Sequence, residues 1–207
     1  MRVSDPYLIS LGEKRLLNTV TWLGVPMNKL PNDAFIIQEI IYEINPDYII
    51  ETGTGFGGSA LFYASILKSI NSNGLVITID IKEYREKLEF SNILYMHGSS
   101  VSLEIMNELD FLIKGKNKKV LVLLDSEHKK NHVLQELNFY SSLVSIGSYI
   151  IVEDTHVNGN PVIWKRGEGP LEAVEEFLKI NKNFEPDVNR ERLIMTCNPK
   201  GWLRKIK

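Results

Sequence analysis

A single cysteine, Cys197, in 207 residues excludes an intrachain disulfide and with it the small secreted scaffolds that depend on several. No run approaches the ~18 consecutive apolar residues that a membrane-spanning helix needs. Charge of one sign is also missing: 24 basic residues against 26 acidic ones leave a formal net charge of −2, so no field advertises nucleic acid or an anionic membrane surface. There is no internal repeat and no low-complexity linker. The opening Met1-Arg-Val-Ser-Asp-Pro6 lacks the apolar core of a signal peptide, which makes the cytoplasm the expected compartment. What is present, 43% hydrophobic and 24% charged residues, suits one globular α/β domain with a short appendage and an ample core.

The most informative run is Glu51-Thr-Gly-Thr-Gly-Phe-Gly-Gly-Ser59. It follows the apolar Tyr48–Ile50 and precedes an apolar helical stretch, so it reads as a strand, a glycine turn and a helix start. Glycine supplies positive φ and lets backbone approach a ligand, and the N–H groups that open a helix favour a carboxylate or phosphate. The spacing Gly53, Gly55, Gly58 also fits the dinucleotide fingerprint, so the loop alone leaves NAD and S-adenosylmethionine both open. Glu51, directly before the first glycines, favours the second, because it could receive the amino group of a methionine moiety.

From about residue 47 strand-like and helix-like runs alternate, the pattern of parallel strands with crossover helices. The expected strands are 48–51, 75–80, 93–97, 120–125 and 149–153, and the helices between them 59–70, 102–113, 131–143 and 171–180. Segments 184–187 and 193–197 read as strands of a closing hairpin before Trp202–Ile206. Together these predict a three-layer α/β/α Rossmann-like fold with a mostly parallel seven-stranded sheet and a C-terminal antiparallel hairpin. Ahead of it, 11–23 and 33–45 read as helical, with Ile36, Ile37, Ile40, Ile41 and Ile44 on one face of the second. Residues 1–46 are thus expected as a helical cap or oligomerisation segment before a domain over 47–207. Between those helices Trp22-Leu-Gly-Val-Pro26 is an apolar loop that could cover a cofactor, join two subunits or simply pack.

In an open parallel sheet, ligands lie beyond the carboxyl ends of the strands, and here those ends are acidic: Glu51, Asp80, Asp125 and Glu153-Asp154. Asp80 stands 22 residues past Gly58, where a carboxylate takes ribose hydroxyls of either cofactor. Asp125, Glu153 and Asp154 would meet from adjacent strands, an arrangement whose repulsion and lost hydration call for a cation. An all-oxygen set favours Mg²⁺, or Mn²⁺, over zinc. The alternative is that Asp125 contacts the cofactor while one acid of the pair caps a helix. His128, three residues after Asp125, faces the same mouth and can take a proton from a substrate hydroxyl; the helix start should keep its imidazole neutral. His132 and His156 are weaker candidates.

Five ordered blocks carry a resemblance: Trp22-Leu-Gly-Val-Pro26, Glu51 to Ala60, Val76-Ile-Thr-Ile-Asp-Ile81, Asp125-Ser-Glu-His128 and Gly147 to Thr155. From about Thr21 to Trp202 the chain resembles the cephalosporin hydroxylase / rhamnosyl O-methyltransferase family. The resemblance implies a class I methyltransferase fold, S-adenosylmethionine as donor and S-adenosylhomocysteine as product. It implies an Mg²⁺ site on Asp125, Glu153 and Asp154, with Glu51, Gly53, Gly55, Ser59, Asp80 and Ser100 lining the cofactor. The chain is also similar to catechol O-methyltransferase, whose base lies three residues after the first metal acid; here His128 stands where that family has lysine. The implied acceptor is a small hydroxylated molecule, a sugar by family, and the resemblance points to a homo-oligomer. The loop from Asn158 to Pro170, with Trp164, Lys165 and Arg166, is expected to fold over the acceptor. Three competitors stay open: an iron hydroxylase using Asp125, His128 and His132 or His156; an NAD enzyme; and a non-catalytic cofactor-binding protein.

Overall fold

In a computed structural model we describe residues 5–14, 16–83, 90–113, 117–162 and 167–207. The elements are α1 (Asp5–Lys14), a 3-10 turn (Leu16–Thr19), β1 (Thr21–Trp22), β2 (Val25–Pro26), α2 (Pro31–Ile44), β3 (Tyr48–Thr52), α3 (Gly58–Ser69), β4 (Leu75–Asp80), β5 (Ile93–His97), α4 (Leu103–Leu112), β6 (Val120–Leu124), α5 (Lys130–Tyr140), β7 (Tyr149–Val152), α6 (Pro170–Ile180), β8 (Phe184–Pro186), a second 3-10 turn (Val188–Glu191) and β9 (Trp202–Lys205). β1 and β2 form a small antiparallel ribbon, and the other seven strands make one sheet in the order β5-β4-β3-β6-β7-β9-β8. Its first five strands are parallel, and β9 runs antiparallel to both β7 and β8.

Each central strand is a continuous apolar run because helices cover both sides. One layer packs Ile105 and Leu109 of α4, Val133, Leu137 and Tyr140 of α5, and Val174 and Phe177 of α6 on Ile50, Ile77, Val122 and Ile150. The other packs Ile36, Ile37, Ile40 and Ile41 of α2 and Phe62, Tyr63 and Leu67 of α3 on Ile49, Val76, Leu121, Leu123 and Ile151. Chain direction out of the sheet reverses between β3 and β6, and that switch point opens the crevice in which open α/β sheets bind ligands. No helix among the described residues is long and apolar enough to cross a membrane.

Two expected elements differ. The helix over 11–23 is instead α1, which starts at Asp5 and ends at Lys14, followed by the 3-10 turn and the β1–β2 ribbon. Gly24 at φ 84° and Leu23 at φ 49° close the ribbon, and no helix accommodates two successive left-handed residues. The expected strand over 193–197 is a turn: Leu193 and Ile194 are exposed, Ile194 has φ 68°, and β8 pairs with β9 instead. Trp202 and Leu203 of β9 are fully buried, which places 202–205 inside the sheet and not after it. The ribbon packs against α3, with the Trp22 ring edge-on to Phe62 at 4.9 Å and the Trp22 indole N–H donating to Ser65 Oγ at 3.0 Å.

Candidate functional site

At the carboxyl end of β3, Glu51 is wholly buried and accepts from Thr78 Oγ1 at 2.7 Å, while Thr78 and Thr54 share a hydroxyl contact at 2.8 Å. Burial pushes the Glu51 carboxyl up to about 7 against the pull of Lys29, Ser59 and Thr78. An acid in that condition is poised to gain from a cationic group. Asp80, at the end of β4, accepts from the Gly55 amide at 3.1 Å and from the Lys82 amide at 2.9 Å, so it ties its own turn to the glycine loop. Gly57 opens α3 in the left-handed region with no side-chain cap, which leaves the first turn of the helix facing the crevice for an anion. Ser59 is buried beside Glu51. Ser100 is buried after β5, where its hydroxyl meets His132 Nε2 at 3.1 Å and its carbonyl accepts from Tyr140 at 2.8 Å.

The glycines divide their work differently from the fingerprint reading. A Cβ on Gly55 would meet no heavy atom within 4 Å, so that position is open to a ligand. A Cβ on Gly53 would lie 2.1 Å from the Asp125 carbonyl, and one on Gly58 2.2 Å from the Pro26 carbonyl. Gly53 therefore lets the end of β6 close on the loop, and Gly58 lets the amino-terminal ribbon do so. Since Gly58 has ordinary helical geometry, Gly58→Ala is a steric test alone: it is expected to lower stability by about 1–3 kcal/mol in denaturant unfolding.

Asp125 follows β6 and Glu153 follows β7, neighbours in the sheet. Successive residues of a strand point to opposite faces, and it is Asp154, the residue after Glu153, that joins Asp125 and His128. Asp154 does so by adopting φ 55°, its amide held by Asn198 Oδ1 at 2.9 Å. His128 Nε2 lies 3.6 Å from Asp125 Oδ1 and 3.4 Å from Asp154 Oδ2. Burial would lower the His128 pKa, but Asp154 and Asp125 raise it further, to about 9. The expectation that the helix start keeps this imidazole neutral is thus reversed by the two carboxylates, whose full charges outweigh a partial dipole.

The residue that sequence reasoning missed is Lys29. It is 3% exposed, and its ammonium reaches Asp125 Oδ2 at 2.9 Å and Glu153 Oε2 at 2.6 Å. Burial alone would lower its pKa, but those two acids raise it well above the ordinary value, so it is a permanent cation. Asp125 is held below its ordinary value, since Lys29 and His128 outweigh its burial. Burial pushes Glu153 up to about 8, with Lys29 pulling down and Asp125 adding to the push. The 2.6 Å contact has the length of a charge-assisted bond, and with a lysine ammonium that close we take Glu153 as ion-paired in spite of its burial. Lysines are read as solvated surface by default, and nothing in the run from Pro26 to Pro31 marks this one as an exception.

Asp125, His128 and Asp154 each offer a ligand atom within 4.8 Å of the others, two carboxylates and an imidazole able to hold a divalent ion; Glu153 is not part of that group, and its Oε1 is buried without a hydrogen-bond partner among the described residues. No cluster of ligand atoms among the described residues joins two histidines to a carboxylate. His132 instead turns to Ser100 and Glu136, while His156 Nδ1 lies 2.9 Å from the Cys197 carbonyl and 3.5 Å from Asp154 Oδ1, in a second group of ligand atoms with Asp154 and Cys197. This arrangement weakens the iron alternative. Asn158 donates to the His128 carbonyl at 3.1 Å, which ties the start of the loop after β7 to the site. Trp164, Lys165 and Arg166 lie outside the described residues.

The family model for Rhamnosyl O-methyltransferase/CmcI matches residues 14–206. A rhamnosyl O-methyltransferase of Mycobacterium leprae is 35% identical over 178 residues, 84% of this chain and 78% of that protein. One from Mycobacterium tuberculosis strain H37Rv is 34% identical over 189 residues, 88% of this chain and 77% of that protein. A solved CmcI structure with Mg and SAM aligns with a TM-score of 0.70 at 19% identity, over 92% of this chain and 78% of that one, a likeness of fold.

Proposed function

This chain belongs to the Rhamnosyl O-methyltransferase/CmcI family, and on that premise we propose that it transfers a methyl group from S-adenosylmethionine to a hydroxyl of a sugar, free or carried on a lipid or other metabolite, with Mg²⁺ at the acidic cluster. The observation that carries the reading is the meeting of Asp125, His128 and Asp154 at the strand ends, with Glu153 joined to Asp125 through Lys29, beside a glycine turn that opens on Glu51 and Asp80.

The donor supplies a methyl group activated by a sulfonium, and the divalent ion supplies positive charge that eases ionisation of the acceptor hydroxyl. Glu51 takes the donor's amino group and Asp80 its ribose, while Gly55 and Ser100 border the space between. Asp125, Glu153 and Asp154 hold the ion. His128 receives the acceptor's proton at Nε2, the atom already turned towards Asp125 and Asp154. Most of the rate comes from positioning and charge stabilisation, because the sulfonium loses its charge as it reacts and the acids around it serve binding more than acceleration.

Calorimetry tests the donor. S-Adenosylmethionine or S-adenosylhomocysteine is expected to bind with a dissociation constant on the order of micromolar and NADH not at all. Tight NADH binding would reverse the order and put the dinucleotide reading ahead.

A further inference from the structure

Resting on the reading above, we propose that Lys29 is a resident counter-ion of the metal site, which neutralises the Asp125–Glu153 pair so that the fold stands without the divalent ion, and whose charge holds the affinity for that ion down.

The geometry divides the carboxylates evenly. Lys29 takes one oxygen of each, Asp125 Oδ2 and Glu153 Oε2. Their other oxygens are not engaged by it: Asp125 Oδ1 faces His128, and Glu153 Oε1 is buried with no hydrogen-bond partner among the described residues. A flexible surface lysine could not enforce that division, but Lys29 is not free to leave. The Met27 amide donates to the Val20 carbonyl at 2.9 Å, Pro26 rests on Gly58, and α2 begins two residues later at Pro31. The start of α2 is fixed in turn by Asp33, which accepts from the Cys197 amide at 2.8 Å. Buried acids left without a cation are strongly destabilising, and two positive charges in one low-dielectric cluster repel. Lys29 therefore trades tight ion binding for a site that is folded before the ion arrives.

The test compares the full-length wild type with Lys29→Met, which keeps an unbranched side chain one heavy atom shorter and removes its charge. Mn²⁺ binding is measured by calorimetry and electron paramagnetic resonance with no donor or acceptor present, and melting temperatures are measured in chelator and in millimolar Mg²⁺. Lys29→Met is expected to bind Mn²⁺ about tenfold tighter or more, and to gain more melting temperature from Mg²⁺ than the wild type does. A purely structural lysine would lower the melting temperature equally in both conditions. Unchanged or weaker Mn²⁺ affinity in the variant, with the wild type binding, overturns the counter-ion and leaves the metal reading in place. Absence of Mn²⁺ binding in both proteins overturns the two together. A variant that stays unfolded in Mg²⁺ as in chelator also overturns it, since the ion must be able to replace the lost charge.

Discussion

Asp125→Asn is expected to reduce methyl transfer by on the order of 10³-fold or more while the protein remains folded. The carboxylate sits at the centre of the cluster, with one oxygen on Lys29 and the other facing His128 and the Asp154 side chain. Asparagine keeps the shape and an oxygen that can still accept from Lys29, so the fold loses little. What disappears is the negative charge that the ion and the imidazole both need. Glu153→Gln is expected to act in the same direction, through the oxygen that has no hydrogen-bond partner among the described residues. Turnover with a labelled donor, alongside circular dichroism and a melting curve, checks both. Unchanged turnover in the two folded variants would remove the metal from the mechanism.

The second large effect is at His128. His128→Ala is expected to lower turnover by roughly 10²–10⁴-fold with donor affinity little changed, and a loss below tenfold would make the residue structural. The pH profile adds an independent check. With the side chains alone, Asp154 and Asp125 carry the His128 pKa up to about 9 in spite of burial, which holds the imidazole protonated near neutrality. A base must be neutral to accept a proton, so the rate rises as pH passes that pKa. A cation on the same carboxylates cancels their push, and the half-maximal pH is therefore expected to move below about 9 as Mg²⁺ is raised towards saturation. A profile whose midpoint does not shift with Mg²⁺ would detach His128 from the acids beside it.

Much of this was legible from the sequence, and the physical reasons differ by residue. Leu75–Asp80 and Ile93–His97 are strands with the predicted bounds, since a short apolar run closed by a polar residue leaves little freedom in a sheet covered on both faces. The acids at the strand ends stood out because each interrupts such a run. Leu193–Cys197 misled for the opposite reason: its apolar residues look strand-like, but Leu193 and Ile194 are exposed, and the place in the sheet goes to Trp202–Lys205. Gly201 decides that outcome, since a Cβ there would lie 2.2 Å from the Val152 carbonyl. Lys29 was invisible because its role depends on residues 96 and 124 positions away, which no local pattern announces.

Those long separations bear on how the protein comes into being. A ribosome delivers the ammonium first, the two carboxylates roughly half a chain and more later, and the Cys197 amide that anchors Asp33 later still, at a separation of 164. Loop-closure entropy has to be met before such contacts repay it, so charge balance is expected late in folding, which hydrogen-exchange pulse labelling of the Lys29 segment would check. Until then the nascent protein carries its future counter-ion in solution, and every carboxylate of the pocket remains hydrated and harmless.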